Sequence, residues 1–306
     1  MKLGIHIPNI GPVAGPEGIT KVAQKAEELG YETIWTTERV LFPVNPLTGY
    51  GGMEGVPLPE AFKQQLDPLD TLVYAAAVTK RVKLGTSVLV FPYYNPVMLA
   101  RRITTLDVLS GGRAVVGLGL GWSPEEFEAA GVPMKGRGAR ADEAIQLMKT
   151  IWSQDPAEFS GKYYKLAKSI VQPKPVQKPH PPIYMAAYTP GAMKRVATMA
   201  DAWLPVGVPL EGMQQMWEGI KSMAREAGRN PDALKLVVRA NVAVLPEAQG
   251  EGRYMFAGSK DEVKADIQAT KDLGAHEIEF DPSTGPQGET LQGFIDAVEL
   301  MRELAG

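Results

Sequence analysis

The sequence predicts a TIM-type (β/α)8 barrel, an α/β fold built as one domain over residues 1–306. Three observations lead there. Short apolar, β-branched runs alternate with longer stretches whose apolar residues recur about every 3.6 positions, the pattern of parallel strands joined by helical crossovers. The alternation can be followed eight times, and 306 residues suit a barrel of about 250 residues carrying insertions. The glycine-rich turn expected after the first strand of a doubly wound nucleotide-binding sheet does not follow the first strand here, which disfavours that alternative.

Leu3 to Ile7 is the first strand. Ile19, Val22, Ala23, Ala26 and Leu29 then share one helical face, and Gly30 stands where a left-handed helix end favours glycine. Thr33 to Thr36 forms strand two, and a Pro- and Gly-rich segment from Phe42 to Pro59 precedes a helix at Leu69 to Thr79. Strand three is Val82 to Val90. Asn95-Pro96 starts the next helix, because Asn accepts from unpaired N–H groups while Pro has none to satisfy; that helix runs to about Leu109. Gly112 to Leu118 is strand four, and Ala141, Ala144, Ile145, Met148, Ile151 and Trp152 mark the inner face of the helix after it. Proline-rich sequence from Gln172 to Pro182 delays strand five, Ile183 to Ala187. Strands six to eight are Ala202 to Val206, Leu236 to Val244 and His276 to Phe280. Helices at Gly191 to Met199, Leu210 to Ala227, Lys260 to Leu273 and Leu291 to Leu304 complete the alternation. The segments near 40–66, 155–182 and 245–258 are insertions rather than linkers, since the alternation resumes after each.

Composition narrows the chemistry. A net charge of −3 with no Lys/Arg cluster on a helix face offers nucleic acid no electrostatic footprint. No stretch reaches the roughly 18 apolar residues of a membrane span, and the first residues run straight into a strand pattern, so a cytoplasmic protein is expected. The absence of cysteine rules out disulfides, thiolate nucleophiles and Cys-ligated metals. Only His6, His180 and His276 carry imidazoles, and none are spaced to share a metal locally, so no metal site is expected.

Barrel active sites lie at the C-terminal ends of the strands. Those ends read His6-Ile7-Pro8-Asn9, Thr36-Thr37-Glu38-Arg39, Thr86-Ser87-Val88, Gly117-Leu118-Gly119-Leu120-Gly121-Trp122 and Ala186-Ala187-Tyr188-Thr189-Pro190. Glycines at 117, 119 and 121 clear one face of strand four, either for a flat ring or for a neighbouring backbone. Trp122 is either a wall for an aromatic ligand or a plug for the barrel mouth. Thr189-Pro190 starts a helix whose free N–H groups suit a phosphate, although most such caps bind nothing.

Taken together these segments resemble the bacterial luciferase-like superfamily, and especially its branch dependent on coenzyme F420. The resemblance rests on VKLGTSVLVFPYYNPVMLARRITTLDVLSGGRAVVGLGLGW, the following EEFEAAGV and RADEAIQLMKTIW, and a second block, GKYYKL with PKPVQKPHPPIYMAA. It covers nearly the whole chain. It implies a cofactor ring across the barrel mouth, backed by a non-prolyl cis peptide at Ser87-Val88, and a phosphate cradled by Ala187-Tyr188-Thr189. Thr86, Ser87, Val88, Gly119, Leu120, Gly121, Trp122, Ala187, Tyr188 and Thr189 are the expected cofactor-binding residues. Glu38-Arg39 matches positions where relatives often carry Asp-His near the reacting ring, and with His6 these are the expected catalytic residues. Trp122 stands where the family's sugar-phosphate dehydrogenases have an acid, so that substrate class lacks its carboxylate here. A homodimer is implied as well.

The expected activity is hydride transfer between the deazaflavin and a small organic substrate, with Glu38 or His6 relaying a proton, unless Glu38 merely pairs with Arg39 at the rim. FMN-dependent monooxygenation is the nearest alternative, and a cofactor-binding protein without turnover a more distant one. A cofactor-free hydrolase is the least favoured alternative, since it would need a metal cluster or a carboxylate pair at the strand ends, where only Glu38 is obvious.

Overall fold

A computed structural model describes residues 1–306. Its barrel strands are β1 (Lys2–His6), β2 (Thr33–Thr36), β3 (Lys83–Thr86), β4 (Ala114–Gly119), β5 (Ile183–Met185), β6 (Ala202–Trp203), β7 (Lys235–Asn241) and β8 (Glu277–Asp281). Each pairs in parallel with its neighbours in chain order, and β8 returns to β1 through Leu3↔Ile278, so the sheet closes with no free edge. Closure excludes the doubly wound alternative. The crossovers are helices α1 (Pro16–Glu28), α2 (Pro68–Val78), α3 (Pro96–Ser110), α4 (Arg137–Ser153), α5 (Pro190–Met199), α6 (Leu210–Glu226), α7 (Lys260–Asp272) and α8 (Leu291–Ala305).

Local chemistry starts and stops these elements as expected. Asn95 accepts from the N–H groups of Val97 and Met98 at the start of α3, and Gly30 adopts φ 76° just past α1. The apolar faces read from the sequence, among them Ile19, Val22, Ala23 and Ala26 on α1 and Ala141 through Trp152 on α4, are buried against the outside of the barrel.

The bore is filled differently at its two ends. Its lower part is a small separate cluster of Trp35, Val115, Tyr184, Ala202, Leu204 and Val237. Trp35 needs bare neighbours on both sides: a Cβ on Gly4 would lie 2.4 Å from its indole nitrogen, and one on Gly85 would lie 2.3 Å from its ring carbon Cε3. Above this layer the inward positions become polar, which builds the site.

Two expectations about elements need correction. Strand three does not run unbroken from Val82 to Val90: β3 ends at Thr86, the Ser87–Val88 peptide is cis as the family resemblance implies, and pairing with β4 resumes only at Leu89–Val90. Strand seven stops at Asn241 rather than Val244, because Ala243–Val244 pair with Ala257–Gly258 in a separate two-stranded sheet. Within the insertion 155–182, Ala157–Ser160 and Lys165–Ser169 pair as an antiparallel hairpin. The segment 40–66 folds over the mouth end, bridged at Ile10↔Gln65 and held where Leu66 N donates to Asn9 O at 2.8 Å.

Candidate active site

Residues 6, 37, 87, 239, 279 and 281 all come to the upper bore because alternate residues of a strand face one side. His6 is buried, with Nδ1 3.6 Å from Asp281 Oδ2 and 3.3 Å from Thr37 Oγ1, and Nε2 3.7 Å from Glu279 Oε1. Burial alone would push Asp281 upward, but His6, Arg239 and the Ser283 donors overcome it and hold the carboxyl at about 2. Arg239 crosses the bore. Its Nη1 donates to the Ser87 carbonyl, its Nη2 to Asp281 Oδ2 at 2.5 Å and its Nε to Asn241 Oδ1 at 3.2 Å. Ser87 Oγ donates to Glu279. Two buried polar atoms here have no partner in the protein, His6 Nε2 and Glu279 Oε2.

The floor of the mouth is the irregular end of strand three. Thr86 is locked to β4 in both directions, its Oγ1 donating to Gly117 O at 2.9 Å and accepting from Gly117 N at 3.0 Å. Val88 is half-buried between buried Ser87 and buried Leu89, and its side chain packs on the lower bore cluster. The glycines of strand four make room for this floor rather than standing clear. A Cβ on Gly117 would fall 1.7 Å from Thr86 O, one on Gly119 2.5 Å from Val88 Cγ2, and one on Gly121 2.5 Å from Val90 Cγ1.

Glu38 and Arg39 do not pair with each other. The Glu38 carboxylate accepts from Val90 N at 2.5 Å and from the Tyr94 hydroxyl, bracing the chain just beyond the floor. Burial pushes its pKa up to about 7, more than these two donors pull it down. Arg39 points the other way. Its guanidinium lies 4.2 Å from the Trp122 ring centre, 5.5 Å from that of Phe62 and 3.1 Å from Glu126 Oε1. Glu126 also accepts from Val40 N at 2.8 Å and from the Tyr93 hydroxyl at 3.1 Å, so this group pins the insertion beside Trp122. Tyr50 meets the Trp122 ring edge-on at 6.2 Å and reaches Asn241 at 3.5 Å.

On the far side of the mouth Ala187 is buried, its carbonyl accepting from Trp203 Nε1 at 3.0 Å, while Tyr188 and Thr189 are exposed. Thr189 caps α5, and a Cβ placed on Gly191 would touch nothing within 4 Å, which leaves the backbone of that helix start open to a ligand.

The model of the family described as luciferase-like monooxygenase matches residues 1–254. The chain belongs to that family. Among its relatives, an uncharacterised protein of Mycobacterium tuberculosis is 34% identical over 240 residues, 75% of this chain and 82% of that one. An FMNH2-dependent dimethylsulfone monooxygenase of Pseudomonas putida is 29% identical over 272 residues, covering 88% and 68% of the two chains. An F420-dependent glucose-6-phosphate dehydrogenase of Amycolatopsis mediterranei is 32% identical over 194 residues, covering 62% and 53%.

In this luciferase-like barrel the sequence reading missed Tyr94, Glu126, Arg239, Glu279 and Asp281. The ground for setting a hydrolase aside, a lone carboxylate at the strand ends, does not hold, since Glu279 and Asp281 stand beside His6. Their signal was present: KLVVRAN and EIEFD place charged residues at alternate positions of otherwise apolar barrel strands, where a charge needs a buried partner.

Proposed function

We propose that this chain is a coenzyme F420-dependent oxidoreductase that moves a hydride between the deazaflavin and a small organic substrate. The observation that carries the reading is the mouth itself: a floor at Ser87–Val88, a wall at Trp122 and an open helix start at Thr189 suit a flat ring whose side chain carries a phosphate. The unpartnered His6 Nε2 and Glu279 Oε2 in the upper bore fit a polar ligand edge or a substrate hydroxyl better than an apolar plug. Thr86, Ser87, Val88, Gly119, Leu120, Gly121 and Trp122 would hold the ring, and Ala187, Tyr188 and Thr189 the phosphate. When bound, the deazaflavin supplies the hydride chemistry. The protein's own residues orient the ring, shield it from water and, at His6 or Glu38, hold the accompanying proton. The choice of F420 rests on the resemblance of the Arg81–Trp152 block and on the F420-dependent relative. With Trp122 in place of an acid, the carboxylate that the family's sugar-phosphate dehydrogenases carry at that position is missing, which argues against that substrate class.

FMN-dependent monooxygenation is the second reading, supported by the longer match to the dimethylsulfone monooxygenase. Equilibrium titration of the protein with F420 and with FMN separates them. F420 is expected to bind at least tenfold more tightly, and equal or reversed affinities would transfer the proposal to FMN.

A further inference from the structure

We infer that Arg239 is a positioning residue for the cofactor ring: from the opposite strand it fixes the Ser87 carbonyl, and with it the floor on which the ring rests. The inference builds on the ring-binding reading above. In an eight-stranded barrel β3 and β7 face each other across the bore, and Arg239 spans that distance while buried to 8% exposure. Taking a guanidinium out of water is costly, and barrel bores are ordinarily filled with branched apolar side chains, so a buried Arg in this layer needs a use.

Its donors divide among three partners. Nη1 holds Ser87 O on the floor, Nη2 the Asp281 counter-charge on β8, and Nε holds Asn241, which itself reaches Tyr50 in the insertion over the mouth. One planar fork therefore ties floor, bore and roof together, a geometry that the single ammonium of lysine does not reproduce. The rest of the floor is braced independently: Ser87 N donates to Thr36 O at 2.7 Å, Ser87 Oγ to Glu279, and Val90 N to Glu38 at 2.5 Å. Losing the Arg239 fork should therefore loosen the floor without abolishing the fold.

The test uses Arg239→Lys and Asp281→Asn in the full chain. Asp281→Asn keeps the guanidinium but removes its counter-charge, and it carries the test if Arg239→Lys does not fold. Two readouts are taken without turnover: the dissociation constant for F420 and for FMN, followed by quenching of protein fluorescence, and amide hydrogen exchange along strand three. The expected result is a rise of at least tenfold in the dissociation constant of whichever ring the wild type prefers. Exchange should also be at least tenfold faster at Leu89, with β5 and the Val90 amide held by Glu38 unchanged. Unchanged affinity and unchanged exchange, with only a lower Tm, would reduce Arg239 to a core ion pair and overturn the inference. If the wild type binds neither ring, the cofactor reading fails by itself, and exchange at Leu89 still decides whether Arg239 fixes the floor.

Discussion

Glu277 is the inward residue of β8 below the polar cluster, and replacing it with Gln isolates the effect of one buried charge. The side chain is 2% exposed and accepts a hydrogen bond of 3.1 Å from Trp35 Nε1. Burial first, and then repulsion from Glu279, raise its pKa from 4.5 to about 7, outweighing the Trp35 and Thr33 donors. A carboxyl whose folded pKa is raised adds stability that is fully present below the unfolded value and lost as the pH climbs through the folded one. At about 1.4 kcal/mol per pH unit, the window between those two values is worth about 3 kcal/mol. Gln has the same shape and no charge, so it opens no cavity and can still accept from Trp35. Glu277→Gln is therefore expected to track the wild type below the lower value and to be about 3 kcal/mol more stable above the upper one, or about 6 °C in Tm for a chain of this size. Urea denaturation of both proteins from pH 4.5 to 8 measures the difference directly. Parallel stability curves across that range would show that Glu277 is not held protonated in the native barrel.

Glu38→Gln is expected to slow turnover more than it weakens ring binding, because a proton relay acts in the transition state; unchanged turnover with a lowered Tm would leave Glu38 only its bracing contacts with Val90 and Tyr94. Gly117→Ala should cost about 3 kcal/mol or more, since its methyl group would fall 1.7 Å from the Thr86 carbonyl, whereas Gly191→Ala meets nothing and should leave Tm within about 2 °C. Thermal melts of the two variants side by side check the contrast. Thr189→Ala removes an exposed helix cap worth about 1 kcal/mol. It should weaken binding of the phosphorylated ring more than that of the same ring without its phosphate, and equal losses for both would place the phosphate elsewhere.

Most of the barrel was legible because each strand and helix advertises itself locally. Thr33–Thr36 matches the expected strand, and the helix bounds differ by a residue or two, because fraying and capping decide ends while periodicity decides existence. The departures have particular causes. Strand six is cut to Ala202–Trp203 by Pro205, which has no N–H for the ladder, and by the positive φ of Gly207. The hairpin at 157–169 is largely exposed, so it carries little of the alternation that reveals a half-buried strand, and it is tied down instead by Glu143 accepting from the N–H groups of Lys162, Tyr163 and Tyr164. Strand three looked continuous because Val88, Leu89 and Val90 are good strand residues whether or not the chain is interrupted before them.

The site was legible as a set of strand ends but not as a set of partners. Glu38 and Arg39 show why. Adjacent charges of opposite sign invite pairing on paper, yet successive residues of an extended chain leave it on opposite sides, so the two side chains build different walls. Glu38 turns to Val90 and Tyr94 under the floor, and Arg39 turns to Glu126, Trp122 and Phe62 under the insertion. The contacts that join the site are of the same distant kind: Arg239 meets a carbonyl 152 positions away, and Ser87 a carboxylate 192 positions away. No periodicity encodes such a pair. What the sequence does show is the cost, an Arg, a Glu and an Asp placed where barrel strands otherwise bury Val, Ile and Phe, and that cost is reason enough to look across the bore for the group each one holds.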